Sequence, residues 1–244
     1  MRDYAKETEK RVAFIKKILE ESHTDGIVYG NSGGKDCALV GILCKMACEN
    51  TVGIILPCSS KRNFTLDKDD AMEVAEKFSI ETRIMDVTPV KEALKTQLSG
   101  VTGTLTPLAE ANIAPRLRMT TLYAVAAAEN RLVAGTGNRS ESYVGYFTKW
   151  GDGAYDFNPI SDLTVKEVFE FLRYLECPDC IINKAPSAAL FEGQTDEDEM
   201  GFKYAQLDEY ILTGATDPVA KEKIDRMHAR TEHKRRPARV YEDK

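Results

Sequence analysis

Ile27-Val28-Tyr29-Gly30-Asn31-Ser32-Gly33-Gly34-Lys35-Asp36-Cys37-Ala38-Leu39 changes character twice within thirteen residues. A short apolar β-type run gives way to small polar residues, and after Lys35 the positions Ala38, Leu39, Ile42, Leu43 and Met46 return at helical spacing. Strand, glycine-rich loop and helix in that order aim backbone N–H groups and the positive end of a helix dipole at one point, which stabilises an anion. Ser32 adds a hydroxyl donor, and Gly33 and Gly34 let the backbone approach phosphate oxygens closely. Asp36 beside a polyphosphate suits Mg²⁺, which takes carboxylate and phosphate oxygens together. The loop is not of the Walker type: Asp36 follows Lys35 where Ser or Thr is required, and Tyr29 stands where the first Gly belongs. Nor does it match the Gly-x-Gly-x-x-Gly dinucleotide fingerprint.

Outward from this junction the same alternation repeats. Helical spacing over residues 4–19 precedes it, and apolar runs at 51–56, 82–85 and 132–134 alternate with helical stretches at 70–78, 89–98 and 113–130. Short, nearly continuous apolar strands between helices predict a parallel sheet buried on both faces with right-handed crossovers, a doubly wound α/β fold. In such a sheet ligands bind beyond the carboxyl ends of the strands, so the loops after Tyr29, Leu56, Met85 and Ala134 should face the site. Beyond Pro159 the pattern is helical, at 165–175, 204–212 and 218–230. A length of 244 residues suits one sizeable domain, 1–244, rather than two.

Composition narrows the classes of function. With 43% hydrophobic and 30% charged residues and no apolar run near the ~20 residues of a membrane span, a soluble globular protein is expected. The charged start at Met1-Arg2-Asp3 has no apolar signal core, so a cytoplasmic location is expected. Six cysteines without a disulfide-framework spacing read as reduced thiols, and Cys177-Pro178-Asp179-Cys180 lacks the second pair that a zinc site needs. A net charge of −6 argues against nucleic-acid binding. The acidic cluster Asp196-Glu197-Asp198-Glu199 and the basic end Arg230 to Arg239 both read, by themselves, as solvated faces.

Ser-Gly-Gly-x-Asp in this context resembles the pyrophosphate loop of the N-type ATP pyrophosphatases, which cleave ATP between the α and β phosphates. The usual pattern ends in Ser where this chain has Cys37. Further blocks follow in one order: Asn112 to Met119, Gly135-Thr136-Gly137-Asn138-Arg139-Ser140-Glu141, Gly145 to Gly153, Pro186-Ser187-Ala188, Gly193 to Glu199 and Thr231-Glu232-His233-Lys234-Arg235. Together they resemble ammonia-dependent NAD synthetase, over nearly the whole chain. The resemblance implies an adenine nucleotide alpha hydrolase-like, Rossmann-like three-layer fold and a ligase that amidates deamido-NAD (nicotinic acid adenine dinucleotide) with ammonia. ATP is the co-substrate, and an adenylated carboxylate lies on the path to NAD, AMP and pyrophosphate.

Carried over residue by residue, the resemblance puts ATP on Gly30, Asn31, Ser32, Gly33, Gly34, Lys35, Asp36, Cys37, Thr136 and Ser187. It puts Mg²⁺ on Asp36 and Glu141, and deamido-NAD on Arg116, Lys149, Asp156, His233 and Lys234. Asp36, Glu141 and Lys149 are the expected catalytic residues. Where many relatives have an ATP-contacting Lys after Leu163-Thr164, this chain has Val165 and then Lys166, and one step along a helix turns a side chain by about 100°. A homodimer is expected by resemblance, with residues 113–130 an element of its interface. No glutamine amidase domain fits outside the matched blocks, so free ammonia is the expected nitrogen source. Two other readings stay open at this level: another ATP pyrophosphatase with a different acceptor, such as a GMP-synthetase-like or tRNA-thiolation enzyme, and a non-catalytic adenine-nucleotide sensor.

Overall fold

The computed structural model describes residues 2–59, 64–184 and 195–241. Four strands, β1 (Gly26–Gly30), β2 (Thr51–Ile55), β3 (Glu81–Ile84) and β4 (Arg131–Ala134), form a sheet in the order β3-β2-β1-β4. Every pairing is parallel, with Ile27 opposite Thr51 and Leu132, and Val52 opposite Glu81. The expected doubly wound α/β architecture is therefore present, and the chain winds away from β1 in both directions. A crevice opens at this switch point, beyond the carboxyl ends of β1 and β4.

Alternation along β1 assigns its side chains to two cores. Ile27 and Tyr29 join a cluster with Ile15, Leu39, Ile42, Leu43, Phe171 and Leu172, under helices Tyr4–Ser22, Lys35–Ala47 and Val165–Tyr174. Val28 turns to the opposite face, where Val52, Ile54 and Val133 pack on Ala114 and Ala126 of helix Ile113–Glu129. A third cluster joins Val144, Val165, Tyr204, Leu207 and Ile224, which docks helices Tyr204–Thr213 and Pro218–Arg230 at the end of the sheet. Tyr29 is fully buried directly before the glycine-rich loop. Glycines make room for it: a Cβ on Gly41 would lie 2.3 Å from the Tyr29 hydroxyl, and one on Gly53 would lie 3.0 Å away.

Val165–Tyr174 and Pro218–Arg230 differ from the bounds read from spacing by one residue at most, whereas Leu66–Lys77 starts four residues before the expected 70–78 and Thr88–Thr102 runs four residues past the expected 89–98. Among the described residues no helix is long and apolar enough to cross a membrane. Helix Thr88–Thr102 buries none of its residues, and strand β3 at the sheet edge leaves Ile84 exposed. Of helix Ile113–Glu129 only Ile113, Ala114, Pro115 and Ala126 are buried.

Candidate active site

The loop 31–34 emerges from β1 and turns at Gly33, whose φ of +69° lies in the left-handed region. A Cβ there would sit 2.0 Å from the carbonyl oxygen of Asp67, so only glycine fits this turn. Lys184 clamps the same residue from outside: its Nζ donates to Gly33 O at 3.0 Å and pairs with Asp67 at 2.8 Å and Asp70 at 2.6 Å. Cys37 supports the loop from beneath. Its buried Sγ accepts from the N–H groups of Ser32 and Gly34, each at 3.3 Å, exchanges a hydrogen bond with Ser32 Oγ at 3.1 Å, and donates to Gly34 O. The sulfur thus organises the loop at the phosphate end of the cleft, and the first-turn N–H groups of helix Lys35–Ala47 complete the positive end.

Glu141 reaches the same point from β4. Helix Arg139–Val144 opens with Asn138 as N-cap, whose Oδ1 accepts from Glu141 N at 3.0 Å while Glu141 Oε2 accepts from Asn138 N at 3.2 Å. This reciprocal pair fixes the Glu141 rotamer. The remaining amide of Asn138, a fully buried residue, donates Nδ2 to Asp36 Oδ1 at 3.0 Å. One asparagine therefore sets two carboxylates side by side, reaching across 102 residues of sequence to Asp36 while capping its own helix at Glu141. Lys35 spans their inner oxygens, with Nζ 2.6 Å from Asp36 Oδ2 and 3.9 Å from Glu141 Oε1. Burial first, and Asp36 second, push the Glu141 carboxyl up to about 8, against the pull of Lys35 and the Asn138 N–H. Burial alone would lower the Lys35 ammonium, yet Asp36 and Glu141 carry it well above the usual lysine range.

Two oxygen-donor carboxylates held together at a phosphate loop suit a hard divalent cation such as Mg²⁺, which completes its shell with water and phosphate oxygens. Among the described residues no group of three or more His, Cys, Asp and Glu forms a protein-only cage. One member of the acidic cluster departs from the expected solvated face, while Asp198 and Glu199 stay exposed. Asp196 is buried, accepting from Tyr204 OH at 3.1 Å and Tyr146 OH at 3.3 Å, while Glu199 accepts from Tyr146 OH at 2.7 Å. Tyr204 in turn lies 5.8 Å below Lys35 Nζ, so this helix start closes the back of the carboxylate pair.

A cleft of about 1580 Å³ runs from this point to a cationic rim and is lined by Thr136, Arg116, Arg118, Lys149, His233 and Lys234 among others. Arg116 Nη2 donates to Lys149 O at 3.2 Å, and Lys149 Nζ donates to His233 O at 2.6 Å. Lys234 Nζ caps the carbonyls of Gly145 and Phe147 at 2.8 and 2.6 Å. These contacts tie the 145–153 loop to the C-terminal helices and gather the basic residues of both. Arg118 donates Nε to Leu56 O at 2.9 Å, and burial lowers its guanidinium from the usual arginine range.

The structure thus brings together the loop 30–37, Thr136, Glu141, Arg116, Lys149, His233 and Lys234. Asp156 stands apart from the cleft lining: its carboxylate accepts from Val133 N at 2.7 Å and Tyr123 OH at 3.2 Å. Ser187 lies outside the described residues. Val165 is buried beside Tyr204 and Leu207, and the Lys166 side chain is 72% exposed with Glu170 its nearest carboxylate, so neither brings a cation to the site. Sequence reading missed Asn138, Lys184, Tyr146 and Tyr204 as site residues. Of these only Asn138 carried a local signal, the N-cap three residues before an acid.

The NAD synthase family model matches residues 7–238. The chain is 46% identical to the NH(3)-dependent NAD(+) synthetase of Carboxydothermus hydrogenoformans over 96% of both chains. Among solved structures it is similar to the NMN synthetase of Francisella tularensis, with 36% identity, a TM-score of 0.92 and 99% of each chain covered. It is likewise similar to the NH3-dependent NAD synthetase of Campylobacter jejuni, with 31% identity, a TM-score of 0.80, and 99% of this chain and 100% of that one covered. With the family model matching residues 7–238, a span that holds the loop, the carboxylate pair and the cationic cleft, the chain belongs to the NAD synthase family and is a ligase of that type.

Proposed function

We propose that this chain amidates deamido-NAD with ammonia at the expense of ATP, yielding NAD, AMP and pyrophosphate through an adenylated carboxylate. The observation that carries the reading is the Asp36–Asn138–Glu141 arrangement at the mouth of the β1 loop, facing a cleft rimmed by Arg116, Lys149 and Lys234. A free carboxylate resists ammonia because its charge repels a nucleophile and oxide is a very poor leaving group. Transfer to the α-phosphate of ATP removes both obstacles. Mg²⁺ held by Asp36 and Glu141 would neutralise charge on the polyphosphate as it departs.

The chain's own groups position the reactants. Helix Lys35–Ala47 presents its positive end to the leaving pyrophosphate, with Ser32 and Thr136 in the same cleft. Arg116, Lys149 and Lys234 offer charge-assisted donors to an anionic nucleotide, and His233 stands beside them. Asp156 anchors β4 through Val133 N, and its assignment to deamido-NAD rests on its motif. Ser187 is assigned to ATP by its motif. A homodimer is supported by the bare face of helix Thr88–Thr102, where Val90, Leu94 and Val101 are exposed, and by the exposed Leu108 of the adjoining helix Pro107–Ala111. Cytoplasmic residence is part of the same reading.

A second acceptor is favoured by one observation, the 0.92 TM-score to an NMN synthetase. The purified chain with ATP, Mg²⁺ and ammonium is to be offered deamido-NAD and nicotinate mononucleotide in parallel, and NAD, NMN, AMP and pyrophosphate measured. NAD with AMP is the expected outcome. A higher kcat/KM for the mononucleotide would reassign the acceptor, and ADP in place of AMP would refute the adenylation chemistry.

A further inference from the structure

Each of the two site carboxylates has one oxygen committed to Asn138, Asp36 through Oδ1 and Glu141 through Oε2. Their other oxygens, Asp36 Oδ2 and Glu141 Oε1, are the pair that Lys35 Nζ spans at 2.6 and 3.9 Å. A divalent cation held jointly by Asp36 and Glu141 would use these same inner oxygens, because the outer ones are occupied by the asparagine. Lys35 is 8% exposed and lines the phosphate end of the cleft, and neither Val165 nor Lys166 supplies a cation there. We infer that Lys35 is an exchangeable counter-ion: it competes with the divalent cation for the inner oxygens of Asp36 and Glu141, and when metal arrives with nucleotide it transfers to the phosphates. The inference rests on the assignment of Mg²⁺ to these two carboxylates.

Two consequences follow from the geometry. Without nucleotide, a divalent cation must displace a buried ammonium from the two carboxylates it contacts, leaving it only the field of Asp196, which already accepts from Tyr204 and Tyr146, so metal binding is weak. With nucleotide, the displaced ammonium gains phosphate oxygens within its reach on the loop, so metal and nucleotide bind with positive coupling. A buried cation that loses its partners is costly, which is what makes the exchange depend on the nucleotide.

The probe is Mn²⁺, titrated into the full chain without nucleotide and followed by the EPR signal of free Mn²⁺; circular dichroism checks that each variant folds. Lys35→Met is expected to bind Mn²⁺ about tenfold more tightly than the unaltered chain, and a non-hydrolysable ATP analogue with Mn²⁺ about tenfold more weakly. Lys35→Gln serves as a second neutral variant, and Lys35→Arg should keep the weak Mn²⁺ binding of the parent. Equal Mn²⁺ affinity in Lys35→Met, Lys35→Gln and the parent overturns the exchange, while weaker Mn²⁺ binding in Asp36→Asn leaves the metal assignment standing. If Lys35→Met/Asp36→Asn binds Mn²⁺ as tightly as Lys35→Met, the metal assignment itself fails and the exchange fails with it.

Discussion

Replacing Glu141 by Gln tests the electrostatics of the carboxylate pair without altering shape. In the folded chain burial and then Asp36 push this carboxyl from 4.5 up to about 8. Between those values the folded protein keeps a proton that the unfolded chain has released, so stability falls as pH rises through the window. The contribution is full below the unfolded value and lost above the folded one. A single group gives a slope of about 1.4 kcal/mol per pH unit, or about 2 kcal/mol between pH 6 and 7.5. A fifth of the Glu141 side chain, 20%, still reaches solvent, which softens the penalty. Half the slope, about 1 kcal/mol, corresponds to about 2–4 °C in Tm for a chain of this size. The assay is thermal unfolding of chelator-treated protein across that range. The Tm of Glu141→Gln minus that of the parent should rise by about 2–4 °C from pH 6 to 7.5, and Asp36→Asn should shrink the rise by removing the second cause. Parallel pH profiles for parent and Glu141→Gln would refute the reasoning.

Asp36→Asn should abolish NAD formation, and normal turnover in that variant would remove Asp36 from the reaction. Gly33→Ala places a Cβ 2.0 Å from a backbone oxygen at positive φ, so a loss of 2 kcal/mol or more in urea unfolding, roughly, is expected with a raised ATP KM. Tyr29→Phe removes a buried hydroxyl that has no hydrogen-bond partner and should leave stability unchanged or raise it by about 1 kcal/mol; a clear drop in the urea midpoint would contradict this. Lys184→Met unclamps Gly33 from Asp67 and Asp70, and should raise the ATP KM about tenfold with a smaller effect on the KM of the acceptor, as steady-state kinetics would show.

The fold was legible where local pattern and tertiary need agree. Residues 27–39 pass from a period suited to a buried strand to one suited to a helix, and β1 with helix Lys35–Ala47 follows that change. Asp196 was misread for a physical reason. In a run of four acids only one turns inward on the short helix Asp196–Met200, and its partners Tyr146 and Tyr204 are chosen by docking, which charge patterning does not register. Val165 and Lys166 divide the same way: Thr164 caps the helix and fixes its phase, so Val165 faces Tyr204 while Lys166 faces water.

The site shows where a motif stops being informative. Asp36 and Glu141 were each visible in their own blocks, but a carboxylate pair works only at a set separation, and that separation is decided by Asn138. The N-cap reads locally as a helix start, worth about 1 kcal/mol to that helix. Only the closure of β4 beside β1 turns its spare amide toward Asp36, so one side chain both starts a helix and spaces two carboxylates. Cys37 follows the same logic in reverse. Its thiol stands where a Ser hydroxyl is usual and accepts from the N–H groups of Ser32 and Gly34 beneath the loop, so the departure from Ser bears on loop shape, which the motif alone does not register.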